Sequence, residues 1–526
     1  MTTSRKRKTK GPPKSIDSIG SIALITNNIS GPAMMGLPHL FHAAGIVPTI
    51  TCILIVCCCA SLCGTFLAES FQSIRGNRNF TGNINFSTAF RVIVGEDGYV
   101  LAETLFIMSC MVQACAAIVE TAQSLDGFLA SFVVGRTWAL QILPWPSLVE
   151  WSPEDCRPES EFEVESGLED CTPFHDAGDL VLTLGFVLAA LVFYPLGRGN
   201  LKETIVIQIV SFATLFVLLT QFYYEFWTRG FAYMESVPWF GTDVSQLAGV
   251  VLFNYAFSIT VPSWLNEKLP AVSVNQIIWT STCLSSIIYI SFGLLGSFSF
   301  DHAGSNLLIL LSSSKVHMMT RICAAVFGTS IIGSGVPVFC VIIKNALHSG
   351  GVCNEQWSLF FGSALPYLIS WMLYQGSLLM TVLNWTGLLV NGLVAFILPL
   401  VLALYAYRRS KAGYGLVSVR AVQMTGLAGA REEGGQPKEQ SGMDAKIKAD
   451  SPTSSAPTLA TAEEEEDNED DDDQETELVE PLWSCLEPLR KLIILGIITA
   501  FAVTILVTVV VDALNDEPTD RRRRRR

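Results

Sequence analysis

Apolar runs as long as a bilayer is thick recur along this chain, and they leave no stretch of comparable size for a soluble core. A bilayer-spanning helix needs about 20 mostly apolar residues. Eleven segments meet that need, at roughly 16–42, 46–71, 99–124, 179–196, 203–224, 244–268, 274–299, 316–344, 357–377, 381–406 and 489–511. Composition agrees with this reading. Half of the 526 residues are hydrophobic and only 16% are charged, against about 25% in soluble domains. Mean hydropathy is +0.42. The charge is also concentrated: between Arg408 and Glu487 there are 19 acidic and 8 basic side chains, a large part of the formal −14. The chain therefore reads as an all-α polytopic membrane protein. A nucleic-acid binder with a basic face, a disulfide miniprotein and a disordered chain are all excluded, and the lipid bilayer is the first expected partner.

Lysine and arginine placement sets the expected orientation. The start, SRKRKTKGPPK, is strongly basic, so 1–15 is read as a cytoplasmic tail. Arg75, Arg78, Arg91, Arg198, Lys202, Lys268, Lys344, Arg408, Arg409 and Lys411 then fall on the same side. Segment 125–178 is read as an acidic extracytoplasmic loop, since 150–179 holds 11 acidic residues and one arginine. Cys156 and Cys171 flank its acidic part and would pair if it faces an oxidising side. Segment 407–488 is expected to be a disordered, acidic cytoplasmic stretch. It leads to an eleventh span at 489–511 and a tail at 512–526 that ends in RRRRRR. The terminal arginine run sits on the side that an odd number of spans makes unfavourable. The first apolar stretch is too long for a cleavable signal peptide. The membrane is read as the plasma membrane or a vacuolar/endosomal one.

Two spans are interrupted, and the interruptions correspond. The first, SIALITNNISGPAMMGLPHLFHAAG, clusters Asn27, Asn28, Ser30, Gly31, Pro32, Gly36 and Pro38 in mid-span. The sixth, GVVLFNYAFSITVPSWLNEKLP, clusters Asn254, Tyr255, Ser258, Thr260 and Pro262. Proline removes a backbone donor and glycine weakens a helix. In lipid such backbone is tolerated only against protein or a water-filled cavity. Breaks five spans apart, each opening one half of the core, are the mark of five-plus-five inverted-repeat transporters. The expected repeats are about 16–224 and 244–406 within a core at 16–406. A half-helix after Gly31 would present N–H groups and a positive dipole end to a carboxylate. A half-helix before a break would present carbonyls to an ammonium group or a cation. Such a site suits a zwitterion.

These residues also carry a resemblance. Asn28, Gly31, Ala33, Gly36, Leu37, Pro38 and Gly45 resemble the first-span motif of the amino acid/auxin permease family, in the amino acid–polyamine–organocation superfamily, with Pro32 departing from its glycine-rich turn. The string FNYAFSITVPSWLNE resembles that family's sixth helix. The resemblance implies a leucine-transporter-like fold with an eleventh helix, secondary active transport and amino-acid substrates. The expected substrate contacts are Asn28, Ser30, Gly31, Ala33, Met34, Gln113, Phe253, Asn254, Tyr255 and Phe257.

Other residues fill out the expectation. Ser109, Gln113, Ala116, Glu120 and Gln123 repeat at three and four, which places them on one helix face. Gln113 would meet substrate, and Glu120 would lie nearer the outer vestibule. For the coupling ion, His39 and His42 after the first break would relay a proton. Alternatively Thr329 and Ser330 would help hold sodium, as the eighth-helix hydroxyls do in sodium-coupled members of the superfamily. No charged side chain lies in either break, so the substrates are expected to be small neutral or aromatic amino acids. A competing reading on the same scaffold is an amino-acid sensor signalling through 407–488. No HxxxH, HExxH or GxSxG pattern supports an enzyme, and no cofactor or metal motif is present.

Overall fold

The structure is a computed structural model and describes residues 14–82, 84–133, 135–143, 145–152, 173–174, 180–199, 201–300, 307–312, 316–349, 352–374, 384–411, 479–482 and 485–523. Cys156, Cys171 and nearly all of 407–488 beyond Lys411 lie outside these residues. The fold is mostly helical. Among the described residues eight helices are long and apolar enough to cross a membrane, and Leu184–Gly197 is a shorter apolar one. The expected spans at 16–42 and 357–377 differ from these because they are built from short consecutive pieces. The ninth is Glu355–Leu359, a π turn at Phe360–Ala364 and Leu365–Met372.

The first span divides where its sequence weakens it. Helix α1 (Ser18–Ile29) starts at Asp17, whose side chain accepts from the Gly20 amide at 2.8 Å. It stops at Ser30 and Gly31. A 3₁₀ turn, Pro32–Gly36, follows, then α2 (Leu37–Ala43) with Pro38 in its opening turn. Proline fits there because the first amides of a helix have no partner within it. Gly45 has φ +89°, and its missing Cβ would stand 2.5 Å from the Gly241 amide. Across this contact Ile46 N–H donates to Pro238 O (2.9 Å) and Gly241 N–H to Ala44 O (2.8 Å). Backbone that leaves a helix is thus paired with other backbone.

Helix α3 (Ile46–Gln72), the short α4 (Phe86–Ile93) and the long α5 (Glu96–Phe128) complete the first third. Segment 125–178 is not simply a loop. Helix α5 enters it and runs into a π turn at Leu129–Val133. Strand β1 (Thr137–Leu143) then pairs antiparallel with β2 (Ser147–Trp151) on one side and β3 (Leu180–Thr183) on the other. The Asp126 carboxyl holds this sheet to the helices. One oxygen accepts from Thr137 Oγ1 (2.9 Å) and the Gly185 amide (2.8 Å), the other from the Tyr374 hydroxyl (2.7 Å).

Helices α6 (Leu184–Gly197) and α7 (Leu201–Arg229) lead to the second divided span. This consists of α8 (Leu247–Asn254), a 3₁₀ turn at Ala256–Ile259 and α9 (Val261–Glu267). Next come α10 (Val274–Ser299), α11 (Leu307–Ser312), α12 (Met318–Val326), a π turn at Phe327–Ile332 and α13 (Gly333–Ser349). Helices α14 (Glu355–Leu359) and α15 (Leu365–Met372) precede a long π stretch, Gly387–Ile397, that continues as α16 (Leu398–Lys411). Helix α17 (Arg490–Arg523) packs on it through Phe501, stacked 4.6 Å from Phe396. The Arg490 guanidinium bonds to both carboxylate oxygens of Glu69 on α3 and sits over the Phe66 and Tyr407 rings.

The start of the chain is tied to the end of α9. Ser15 and Ile16 amides both donate to Glu267 O (2.9 and 3.1 Å), and Leu269 N–H donates to Ile16 O (2.9 Å). The Lys14 amine bonds to Asn79 O. Half burial away from water holds that amine below the ordinary lysine range.

Candidate functional site

The two interruptions meet at the centre of the helix bundle. The Asn28 side-chain amide donates to Thr260 Oγ1 at 2.9 Å, joining the break in the first span to the break in the sixth. Thr260 in turn donates to Phe257 O (2.8 Å). Beside them the Asn27 amide donates to the backbone and side-chain oxygens of Gln208 (2.7 and 2.9 Å), and Gln208 donates to Ser334 O (3.0 Å). On the other side Gln113 donates to Phe253 O (3.3 Å) and Ser109 to Asn391 Oδ1 (2.5 Å).

Buried polar atoms normally find hydrogen-bond partners. Here several do not. At the first break Thr26 Oγ1, Asn27 Oδ1 and Ser30 Oγ have none, and at the second neither side-chain polar atom of Asn254 has one. The backbone is only partly free. Gly31 N–H donates to Ile29 O (2.7 Å), an oxygen that also accepts from the Tyr289 hydroxyl, and Met34 N–H donates to Gly31 O (3.2 Å). The carbonyl end of α1 is therefore already engaged, whereas the Ala33 amide opens the 3₁₀ turn, where helices leave donors without an internal partner.

A cavity lies between α1, α5, α7 and the stretch from Ile331 to Phe339. Its polar lining is Asn27, Asn28, Gln113, Gln208 and Ser334, and the rest is apolar, Leu24, Ala117 and Phe339 among it. Every lining residue is uncharged. It offers about 20 Å³ to the centres of water molecules, room for a water-sized group and not for an amino acid.

Of the residues expected from sequence to contact substrate, Asn28, Gly31 and Gln113 line this cavity. Ser30, Ala33 and Met34 are buried and do not line it. Asn254 is buried at the second break with its amide unpartnered. The three aromatic candidates turn elsewhere. Phe253 packs on Gly387, Tyr255 bonds to Ser286 Oγ (2.5 Å), and the Phe257 ring lies against Gly64. His42 Nε2 lies 3.1 Å from Phe300 O, and His39 sits half-buried on α2. Thr329 and Ser330 hydroxyls donate to carbonyls of their own helix turn, Ala325 O (2.9 Å) and Val326 O (2.6 Å). Sequence reasoning missed Gln208. The signal for Gln208 is a single amide inside the apolar run IVIQIVSF, where a polar side chain in lipid is costly enough to need a purpose.

Comparison with known proteins bears out a transporter fold. Residues 15–147 match the family model described as transmembrane amino acid transporter protein. Among solved structures, Mhp1 is described as a nucleobase-cation-symport-1 family transporter in a closed conformation with bromovinylhydantoin bound. It is 13% identical with a TM-score of 0.51, over 81% of this chain and 96% of that one. At such identity the likeness concerns the fold. No curated protein matches the chain in sequence. The chain is thus a multi-pass membrane protein with the fold of a transporter, and its residues 15–147 match the transmembrane amino acid transporter family, the one its first-span motif resembles.

Proposed function

We propose that this protein is a secondary active transporter of small neutral or aromatic amino acids, working by alternating access around its two interrupted spans. The observation that carries this reading is that both breaks hold buried polar atoms without partners, Ser30 and Asn27 in one and Asn254 in the other, and that Asn28 bonds across from the first break to Thr260 at the second. A zwitterion supplies the donors and acceptors these atoms lack. The uncharged lining favours a neutral substrate side chain, since a charged one buried without a counter-charge is costly. The cavity as it stands is too small for the substrate, so the helices around it part to admit one, as alternating access requires. In this reading the basic ends of the spans face the cytoplasm. Repeats 16–224 and 244–406 form the five-plus-five core and α17 is the eleventh span. Asn28, Gly31, Gln113 and Asn254 contact substrate with Asn27 and Gln208, and the cycle is ion-coupled.

The test is counterflow of labelled alanine, serine, leucine and phenylalanine by the purified protein in proteoliposomes. A Cβ on Gly31 would meet only Asn28 O at 3.6 Å and Ile29 O at 4.0 Å, so Gly31→Ala fits and retains counterflow. Gly31→Phe places a ring in the cavity and reduces counterflow by about tenfold or more, where each decade corresponds to about 1.4 kcal/mol. Unchanged counterflow in Gly31→Phe, at equal thermal stability, sinks the proposal.

A further inference from the structure

Glu120 lies on the interior face of α5, seven positions beyond Gln113. That spacing is two helical turns, so it stands about 10 Å further along the same face. It is 2% exposed, and its Oε2 has no hydrogen-bond partner. Thr121 Oγ1 donates to Gly328 O at 3.1 Å, so this part of α5 is pressed on the π turn Phe327–Ile332. Helix α5 also packs against both 3₁₀ turns that interrupt the first and sixth spans.

Among the described residues no ion pair includes this carboxyl. The cations on the elements packed against α5 are committed elsewhere. Arg91 of α4 pairs with Glu96 (3.0 Å). Arg321 of α12 bonds to Ser312 O (3.3 Å) and Ser131 O (3.1 Å). Lys344 of α13 bonds to Arg198 O (3.1 Å) and Gly199 O (2.6 Å). Asp126 and Tyr374 bond to each other, and Tyr367 meets the rings of Phe186 and Tyr194. Cys323 and Cys340, on α12 and α13, are thiols and carry no charge at neutral pH. An ionised carboxylate enclosed in this way, with no cation paired to it and one oxygen without a donor, is strongly disfavoured. The enclosed side chain is therefore the neutral acid.

We propose that Glu120 is the proton-binding residue of the transport cycle. In the closed arrangement it holds its proton as a carboxylic acid. When the interrupted spans move and water reaches this face, the acid gives the proton to water and becomes a carboxylate, and it must take one back before the bundle closes again. Protonation and closure are thereby linked, which is what coupling requires. This role rests on the transporter reading. It moves the proton site from His39 and His42 on α2 to α5.

The experiment compares wild type with Glu120→Gln in proteoliposomes, using the labelled alanine, serine, leucine and phenylalanine mixture. Glutamine copies the protonated acid in shape and charge. Wild type is expected to accumulate label under an inward proton gradient, up to about tenfold per pH unit for one proton per substrate. Glu120→Gln is expected to keep counterflow within about twofold, since the neutral form closes normally, and to lose accumulation altogether, its ratio falling to about one. Its counterflow should also be flat with pH where that of wild type declines as pH rises. Accumulation by Glu120→Gln equal to wild type overturns the inference, as does accumulation by wild type driven by sodium alone. Loss of counterflow in a Glu120→Gln protein that elutes as a single species also overturns it, because the neutral form would then be incompetent. Absence of counterflow in wild type would instead remove the transporter reading itself, and this role with it.

Discussion

Asp126→Ala destabilises the folded protein by about 4 kcal/mol, because three buried donors lose their acceptor together and each such loss costs about 1–3 kcal/mol. The donors are the Thr137 hydroxyl, the Gly185 amide and the Tyr374 hydroxyl. They come from β1, the start of α6 and the residues just after α15. Neither Gly185 nor its surroundings can adjust, since a Cβ there would already lie 2.4 Å from Ala122 O. The measurement is apparent thermal stability in detergent, read together with limited proteolysis of 137–151. Asp126→Asn keeps one oxygen for Thr137 and Gly185 and offers the Tyr374 hydroxyl an amide. It should lose about half as much. A drop in Asp126→Ala below about 1 kcal/mol would show that the carboxyl does not organise this end of the bundle.

Gly249→Val is the second large effect. The break-bearing sixth span rests on the Gly387–Ile397 stretch backbone to backbone. A Cβ on Gly249 would stand 2.6 Å from Asn384 O, and one on Gly387 would stand 2.4 Å from Gly249 O. The nearest atom to a Cβ on Gly249, Asn384 Oδ1 at 2.1 Å, can swing aside, but Asn384 O and Gly249 O are main chain and cannot, so α8 must be displaced. Overpacking of this kind costs about 3 kcal/mol, and the displacement also moves Asn254 at the end of α8. Both thermal stability and counterflow should fall. Gly392→Ala is the matched control, because its Cβ would meet Gly387 O at an ordinary 3.7 Å. Gly249→Val with stability and counterflow like those of the control would mean that the close approach is dispensable.

The parts of this architecture legible in sequence are those with local causes. Gly31-Pro32 and the Asn254–Pro262 cluster interrupt helices through their own chemistry, so both breaks could be read directly from residue types. The Asp17 cap belongs to the same class. What escaped reading depends on distant partners. Strand β1 has one near partner, Ser147–Trp151, and one distant partner, Leu180–Thr183, some forty positions on, and nothing in 125–178 alone reveals the second. Gln208 bridges Asn27 and Ser334, residues more than a hundred positions from it in each direction, so its polarity could be noticed but its role could not.

The stitches at residues 15 and 16 have a mechanical meaning. Helices α1 and α9 are fastened at their base by main-chain bonds to Glu267, part-way up by Trp264 Nε1 donating to Ser21 Oγ (2.9 Å), and at the break by Asn28 and Thr260. Three rungs spread over that length leave little freedom to slide or twist. The pair is therefore stiff, and a force applied to either member is delivered to both.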